Sequence, residues 1–551
     1  MAKLFVFAIG GTGERVMRSL TMLMAAGLPT LTNYEVFPII IDYDEKNADK
    51  ILTRDVLKNY AAAHDAAYTQ HTAKSEEKSI GGLFFGSKLR NLHGLTDYVF
   101  PFKPATTNEK FRQFIGFDKF KGRSEKNGGS DNDRGTLNTA DFLTSLYDES
   151  DRSDTELNLD MTEGFKGNPN IGSVVFHTIG ETTEFSAFNS LYNPDNGDKA
   201  VVIGSIFGGT GASGIPEIVK AIKVRKPKAD IATILVLPYF SPMEEKDAAI
   251  KSVRFNSKTK AALSFYEASG LNDMISRRYY VGDFNPTVIK YSEGGTTQHN
   301  NANIIELIAA MMVEHYIANR DEGEREFKFS IDADIVVKPE TKSGTRLFYE
   351  QFDASTKNNV LNDCVKLAIA LKFFHEKIWS GKDKKKTYFE YLNLGASIPN
   401  VGGKDINKSS MTRLCKAYED FYLKYQQWLK ELDFEGQGDK LPANSHRLAL
   451  CDMTRTFFEL IIKDTKVSTQ AEKSGLMDTI KDGVDKFWGS TKEFEFDPQM
   501  NSHIKDDGKG GGHYDTKTNQ LREGHEAEWV LADILHATAE DGFTELMRQS
   551  N

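Results

Sequence analysis

Short, mostly apolar runs recur along the first 320 residues, and each is too short for anything but a strand. Leu4–Ile9 reads LFVFAI, Val36–Ile41 reads VFPIII, and Val201–Phe207 and Ile231–Leu237 are similar. Runs of this length, bounded by glycine or acidic residues, fit strands buried on both faces of a parallel sheet. Between them the period changes to that of a helix. After Gly13, Val16, Leu20, Leu23 and Met24 share one helical face over Glu14–Ala26. The same reading predicts helices over Asp49–Ala67, Ile215–Val224, Glu244–Ser269 and Asn301–Ala318. In the last, Ile304, Leu307, Ile308, Met311 and Met312 make a broad apolar face. Pro216 is expected in the first turn of its helix, where proline costs least. Ser173–Thr178, Arg278–Val281 and Phe327–Val337 read as strands. Asn358–Ile378, Met411–Phe434 and Glu526–Met547 read as long helices.

Length turns this pattern into a multidomain expectation: 551 residues correspond to roughly two to four domains. Hydrophobic residues make up 39% and charged residues 27%, which fits a globular chain with a wet surface. The formal net charge of -10 opposes nonspecific attraction to nucleic acid, so no direct nucleic-acid binding is expected. Cys364, Cys415 and Cys451 lack the close spacing of a metal knuckle and suit reduced thiols. The amino-terminal run stops in a glycine turn instead of a cleavage site, and no apolar stretch reaches the roughly 20 residues of a membrane span. A cytoplasmic location is the expectation. Lys121–Gly135 (KGRSEKNGGSDNDRG) and Gly508–Gly512 read as surface loops. The twelve histidines form no metal-spaced cluster, and no Gly-x-Ser-x-Gly elbow follows a strand.

Two glycine turns carry the chemistry. VVIGSIFGGTGASGIPEIVKAI places Gly208, Gly209, Thr210, Gly211, Ala212, Ser213 and Gly214 between a strand and a helix. Amides of such a loop can converge on an anion, and the following helix adds its positive end. Thr210 and Ser213 offer hydroxyl donors. This is no P-loop, because Ile215-Pro216 stands where lysine and serine or threonine are required. The first strand ends in a second such turn, Gly10-Gly11-Thr12-Gly13. Taken alone, that turn also fits a dinucleotide fingerprint, with Asp42 holding a ribose. Val16 then occupies the place of the third glycine.

The Gly208–Gly214 segment resembles the GGGTGTG/GGGTGSG phosphate loop of the tubulin/FtsZ superfamily. Phe207 replaces the first glycine, and two residues, Ala212 and Ser213, precede the last where the signature has one. The glycine turn at Gly10–Gly13, the acids Asp42 and Asp44 after the second strand, Pro238-Tyr239-Phe240, and the apolar helix near 298–320 fall in the matching order. The likeness covers roughly residues 1–45 and 171–320.

The resemblance implies an α/β fold: a parallel Rossmann-like GTP-binding domain (1–297, with an insertion at about 46–170), a long central helix (298–320), and a smaller α+β domain (321–490). A carboxy-terminal extension follows (491–551). It implies GTP or GDP as ligand, with Mg²⁺ near Asp42 and Asp44. Gln298, Asn301 and Asn303 at the start of the central helix, and Asn256 on the preceding helix, are its candidate base contacts. Asn300 and Asn301 suit helix capping equally well. Asp321, Glu322 and Glu324, after the central helix, are candidates for orienting water on a neighbouring subunit's nucleotide. Head-to-tail self-assembly into a homopolymer with GTP hydrolysis is the implied function. A non-polymerising GTP-binding scaffold or switch, and an NAD(P)-dependent Rossmann enzyme, are the alternatives.

Overall fold

Strands that are apolar on both sides need helices on both sides, and the fold supplies them. The structure is a computed structural model. It describes residues 1–44, 46–68, 82–101, 110–117, 156–161, 164–243, 254–290, 300–329, 344–375, 408–435, 441–442, 444–450, 514–515, 520–521 and 527–550. The expected loops at 121–135 and 508–512, and Gln298, lie outside the described residues.

Counting helices of two turns or more, the chain runs β1 (Ala2–Ile9), α1 (Gly10–Ala25), β2 (Tyr34–Ile41), α2 (Ala48–Tyr68), β3 (Lys88–Leu89), α3 (Pro169–Phe176), α4 (Thr183–Leu191), β4 (Lys199–Ser205), α5 (Thr210–Arg225), β5 (Asp230–Val236) and β6 (Phe240–Pro242). It continues with α6 (Phe255–Ala268), β7 (Arg277–Val281), β8 (Thr287–Ile289), α7 (Ile304–Ile317), β9 (Glu326–Phe329), β10 (Gly344–Leu347), α8 (Asn362–Phe373), α9 (Lys408–Leu432), β11 (Ser445–Leu448) and α10 (Ala527–Ser550).

Seven strands form one parallel sheet in the order β3-β2-β1-β4-β5-β7-β9. Alternate residues serve opposite faces, as the pleat requires. Leu4, Val6 and Ala8 join the core with α1, α2 and α7, while Phe5, Phe7 and Ile9 face α3, α4 and α5. From β1 the chain first winds outward through β2 to β3. It then returns to β4 on the other side of β1 and winds the opposite way. The β1/β4 boundary is therefore the topological switch point, where open α/β sheets place their ligands.

Three expectations change. Ser173–Thr178, read as a strand, is largely the helix α3 followed by a turn. Pro169 opens the helix, and Ile171, Gly172, Val175 and Phe176 form its buried face. Their helical spacing outweighs the β propensity of Val174-Val175. Helix α5 begins at Thr210 instead of Ile215, so Pro216 sits inside it. The carbonyl that proline leaves without its helical donor, that of Ala212, accepts the Tyr266 hydroxyl at 2.7 Å. The strand at Glu326–Phe329 pairs with β7, from Arg278↔Glu326 to Val281↔Phe329. Beyond it, α8, α9 and α10 contribute residues to the same apolar cluster as α1, α2 and α7.

Candidate functional site

Both glycine turns leave neighbouring strands at the same edge. Ile9, the last residue of β1, pairs with Gly204 near the end of β4. The turns touch: a Cβ on Gly10 would lie 3.2 Å from Thr210 Cβ and 3.5 Å from Gly211 N. Gly10 has φ +68°, a conformation that places the chain directly into α1 and that L side chains resist. Gly211 admits no side chain, since a Cβ there would lie 2.4 Å from the Ser205 carbonyl oxygen.

Neither helix that starts here is capped by a side chain. Ile9 precedes α1 and Gly209 precedes α5, and neither supplies an acceptor. Two sixteen-residue helices thus present open first-turn amides to one cleft, together with their positive dipole ends. That arrangement suits an anion with several oxygens.

The cleft is lined by Gly10, Gly11 and Thr12 from the first turn and Gly208, Gly209, Thr210 and Gly211 from the second. Gly13 lies beneath it, where it lets α1 approach β1 and β4 closely. Ala212, Ser213 and Gly214 are buried in the first turns of α5 and do not line the cleft. Ser213 Oγ donates to the Gly209 carbonyl at 2.8 Å, so the expected hydroxyl donor is spent on its own helix. Phe207, which stands in place of a signature glycine, packs against Phe255 and Phe240 at ring separations of 4.8 and 5.5 Å and forms an aromatic wall.

Asp42 and Asp44 follow β2 into the cleft, and both are buried. Asp42 Oδ1 accepts the Asp44 amide at 3.2 Å, and its Oδ2 accepts Asn47 Nδ2 at 3.0 Å. The Lys50 ammonium caps the carbonyls of Asp42 and Asp44. Burial raises the Asp42 carboxyl above its usual range. Lys50 opposes that shift and Asp44 adds to it. Glu14, fully buried on α1, is raised well above the carboxylate range, first by burial and then by Asp42. Neither of its oxygens has a hydrogen-bond partner among the described residues. This acidic floor beside an anion cradle suits a hard divalent cation that a polyphosphate would bring with it. Among the described residues, no group of three or more acidic, histidine or cysteine side chains could hold a metal unaided.

The remaining candidates separate. Asn256 is exposed on α6 and does not line the cleft, although its neighbour Phe255 does. Asn301 turns to a different depression, shared with Gln427, Lys430 and Glu431 of α9. Asn303 is the N-cap of α7: its side chain accepts the Ile305 amide at 2.9 Å, and the Glu306 carboxylate accepts the Asn303 amide at 3.0 Å. Asp321, Glu322 and Glu324 occupy an exposed loop at the other end of α7. That helix has 14 residues, which makes it about 21 Å long.

Several cleft residues were not foreseen. Arg15 carries a buried guanidinium that donates to Glu306 Oε1 (2.6 Å), Asp49 Oδ2 (2.6 Å) and Tyr239 Oη (2.7 Å). Asn47 and Asn300 are also at the cleft, and Gly164-Phe165-Lys166-Gly167 closes it from above Gly209. The glycines of that last segment were the available signal, but among the described residues no strand leads into them to mark a phosphate turn. Arg15 had the surface helix pattern of any arginine.

Neither a scan against protein-family models nor a search of curated proteins returns a match to this chain. No helix of the described residues is long and apolar enough to cross a membrane.

Proposed function

We propose that the chain binds a nucleoside polyphosphate at the β1/β4 cleft as a tubulin/FtsZ-like GTP-binding protein, with Mg²⁺ held beside Asp42 and Asp44. The observation that carries this reading is the contact between the two glycine turns under two uncapped helix N-termini. The acidic loop 319–324, at the far end of α7, cannot reach a ligand in its own cleft. It suits a role on a neighbouring copy stacked head to tail, an arrangement that propagates as a filament.

Hydrolysis would follow the same geometry. Backbone amides of both turns would hold the phosphates. Mg²⁺ would neutralise developing charge on the phosphate oxygens. Asp321, Glu322 and Glu324 of one copy would orient water toward the terminal phosphate in the next.

The strand order supports one other reading. A dinucleotide-binding sheet also has its switch point between the first and fourth strands. A dinucleotide would straddle that boundary, where Thr210 already packs against Gly10.

The test is GTP turnover measured against protein concentration, with electron microscopy of the same samples. Turnover that rises more steeply than concentration, with filaments, is expected. GTP binding without turnover or filaments would leave a non-polymerising switch. Protection by NAD or NADP with no response to GTP would replace the proposal with the dinucleotide enzyme.

A further inference from the structure

Arg15 is the most heavily committed charge beside the cleft. It lines the cleft yet is only 2% exposed, and its fork bonds reach three other elements: α2 through Asp49, the turn after β5 through Tyr239, and α7 through Glu306. Tyr239 also donates to Glu306 Oε1 at 2.7 Å. Burial works against the Arg15 charge, but Tyr239, Glu306 and Asp49 more than restore it. A planar guanidinium serves two carboxylates and a hydroxyl at once, which a lysine ammonium cannot do in the same geometry.

The consequence falls on Asn300. Asp49 Oδ1 accepts the Asn300 backbone amide at 3.1 Å, and Asp49 Oδ2, the oxygen that Arg15 holds, accepts Asn300 Nδ2 at 3.2 Å. A carboxylate can only accept, so it dictates which end of the amide it takes. Asn300 must turn its nitrogen to Asp49. Its Oδ1 accepts no hydrogen bond among the described residues, and Asn300 is the described residue before α7 that lines the cleft.

We propose that Arg15 is the positioning residue for base selection: through Asp49 it fixes Asn300 so that a bound base meets an amide oxygen and not an amide nitrogen. An oxygen with two lone pairs matches the adjacent N1–H and 2-amino donors of guanine. Adenine interrupts its donor with a bare ring nitrogen. This rests on the reading of the cleft as a nucleotide site and adds to it the groups that choose the nucleotide.

The experiment is equilibrium binding of GTP, ITP, ATP and inorganic tripolyphosphate, each with Mg²⁺, to the full chain. The proteins are the wild type, Arg15→Lys, Asn300→Ala, the double variant and Asp49→Asn. The wild type is expected to prefer GTP over ATP by at least about tenfold, as a site with hydrogen-bond readout should. Arg15→Lys and Asn300→Ala should each remove most of that preference, with the loss for GTP exceeding that for tripolyphosphate by at least about tenfold. The double variant should lose no more than either single one, because both act through one amide. Asp49→Asn keeps the shape and frees the Asn300 amide to turn, so it should lose the preference too; it decides the matter if Arg15→Lys does not fold. Equal losses for GTP and tripolyphosphate would make Arg15 merely structural and overturn the inference, as would multiplying losses in the double variant. A wild type that binds every nucleotide equally ends this inference and leaves the nucleotide site standing. A wild type that binds none ends the nucleotide site itself.

Discussion

The two ends of α7 are built from the same residue types and differ in almost every physical respect. At the amino-terminal end, Glu306 is 1% exposed and shares its carboxylate among Arg15, Tyr239 and the Asn303 amide. Glu431 of α9 accepts the Ala302 amide at 2.8 Å and stands 3.1 Å from the Arg18 guanidinium. At the carboxy-terminal end, the Asp321 side chain is 67% exposed and meets His315 at 3.1 Å. Glu322 and Glu324 are exposed beside it. A charge in the first setting is fixed by desolvation and cannot be removed singly without leaving its partner stranded. A charge in the second costs the fold nothing, and any purpose it has lies outside the single chain.

The largest difference should appear on truncation. Glu306→Ala takes a buried acceptor from Arg15 Nε and from the Tyr239 hydroxyl and should destabilise the protein by about 3–5 kcal/mol in denaturant melts. The triple variant Asp321→Ala, Glu322→Ala, Glu324→Ala should stay within about 0.5 kcal/mol per site. It should also bind GTP normally and lose only assembly-dependent turnover. Equal destabilisation at both ends would erase the contrast.

Next in size come the turns. Gly211→Val drives a side chain into the Ser205 backbone and should fail to fold. At Gly208 an added Cβ meets only the Ser205 hydroxyl, at 2.9 Å, which can rotate away. Gly208→Val should therefore keep its melting behaviour and lose at least about tenfold in triphosphate affinity, about one hydrogen bond's worth.

The smallest effect concerns Glu14. Its carboxyl is raised in the folded state, so the folded chain binds the proton more tightly than the unfolded chain does. Stability then falls as pH rises from the usual carboxylate range through the raised value. Glu14→Gln should melt a few degrees above the wild type near pH 7, and the gap should close toward pH 4. A gap that widens on acidification would mean the charge is stabilised in the fold.

The same contrast explains what could be read from the sequence. β1, β4 and β5 announce themselves because burial on both faces keeps charged residues out of all but their first positions. The glycine turns are visible because only glycine fits at Gly10 and Gly211. The acids at 321–324 are visible as a charged loop. Arg15, Asp49, Asn300 and Glu306 were hidden, because in sequence they are the ordinary polar residues of amphipathic helices and caps. Arg15 and Glu306 are 291 positions apart, and only the crossover of α7 past α1 brings them together. Ser213 misled for the opposite reason: in a glycine loop it resembles a ligand donor, but starting α5 at Thr210 turns its hydroxyl onto the helix backbone. β9 was legible as a strand from Phe327, but its exposed pattern gives little sign that it joins the buried sheet.

The most direct measurement is calorimetric titration of the purified chain with GTP and Mg²⁺, run beside Gly208→Val. One site per chain, weakened in the variant and dependent on the phosphates, is the predicted result. Heat from neither GTP nor any other polyphosphate, or equal binding by the variant, would mean that the paired helix ends at β1 and β4 hold no anion.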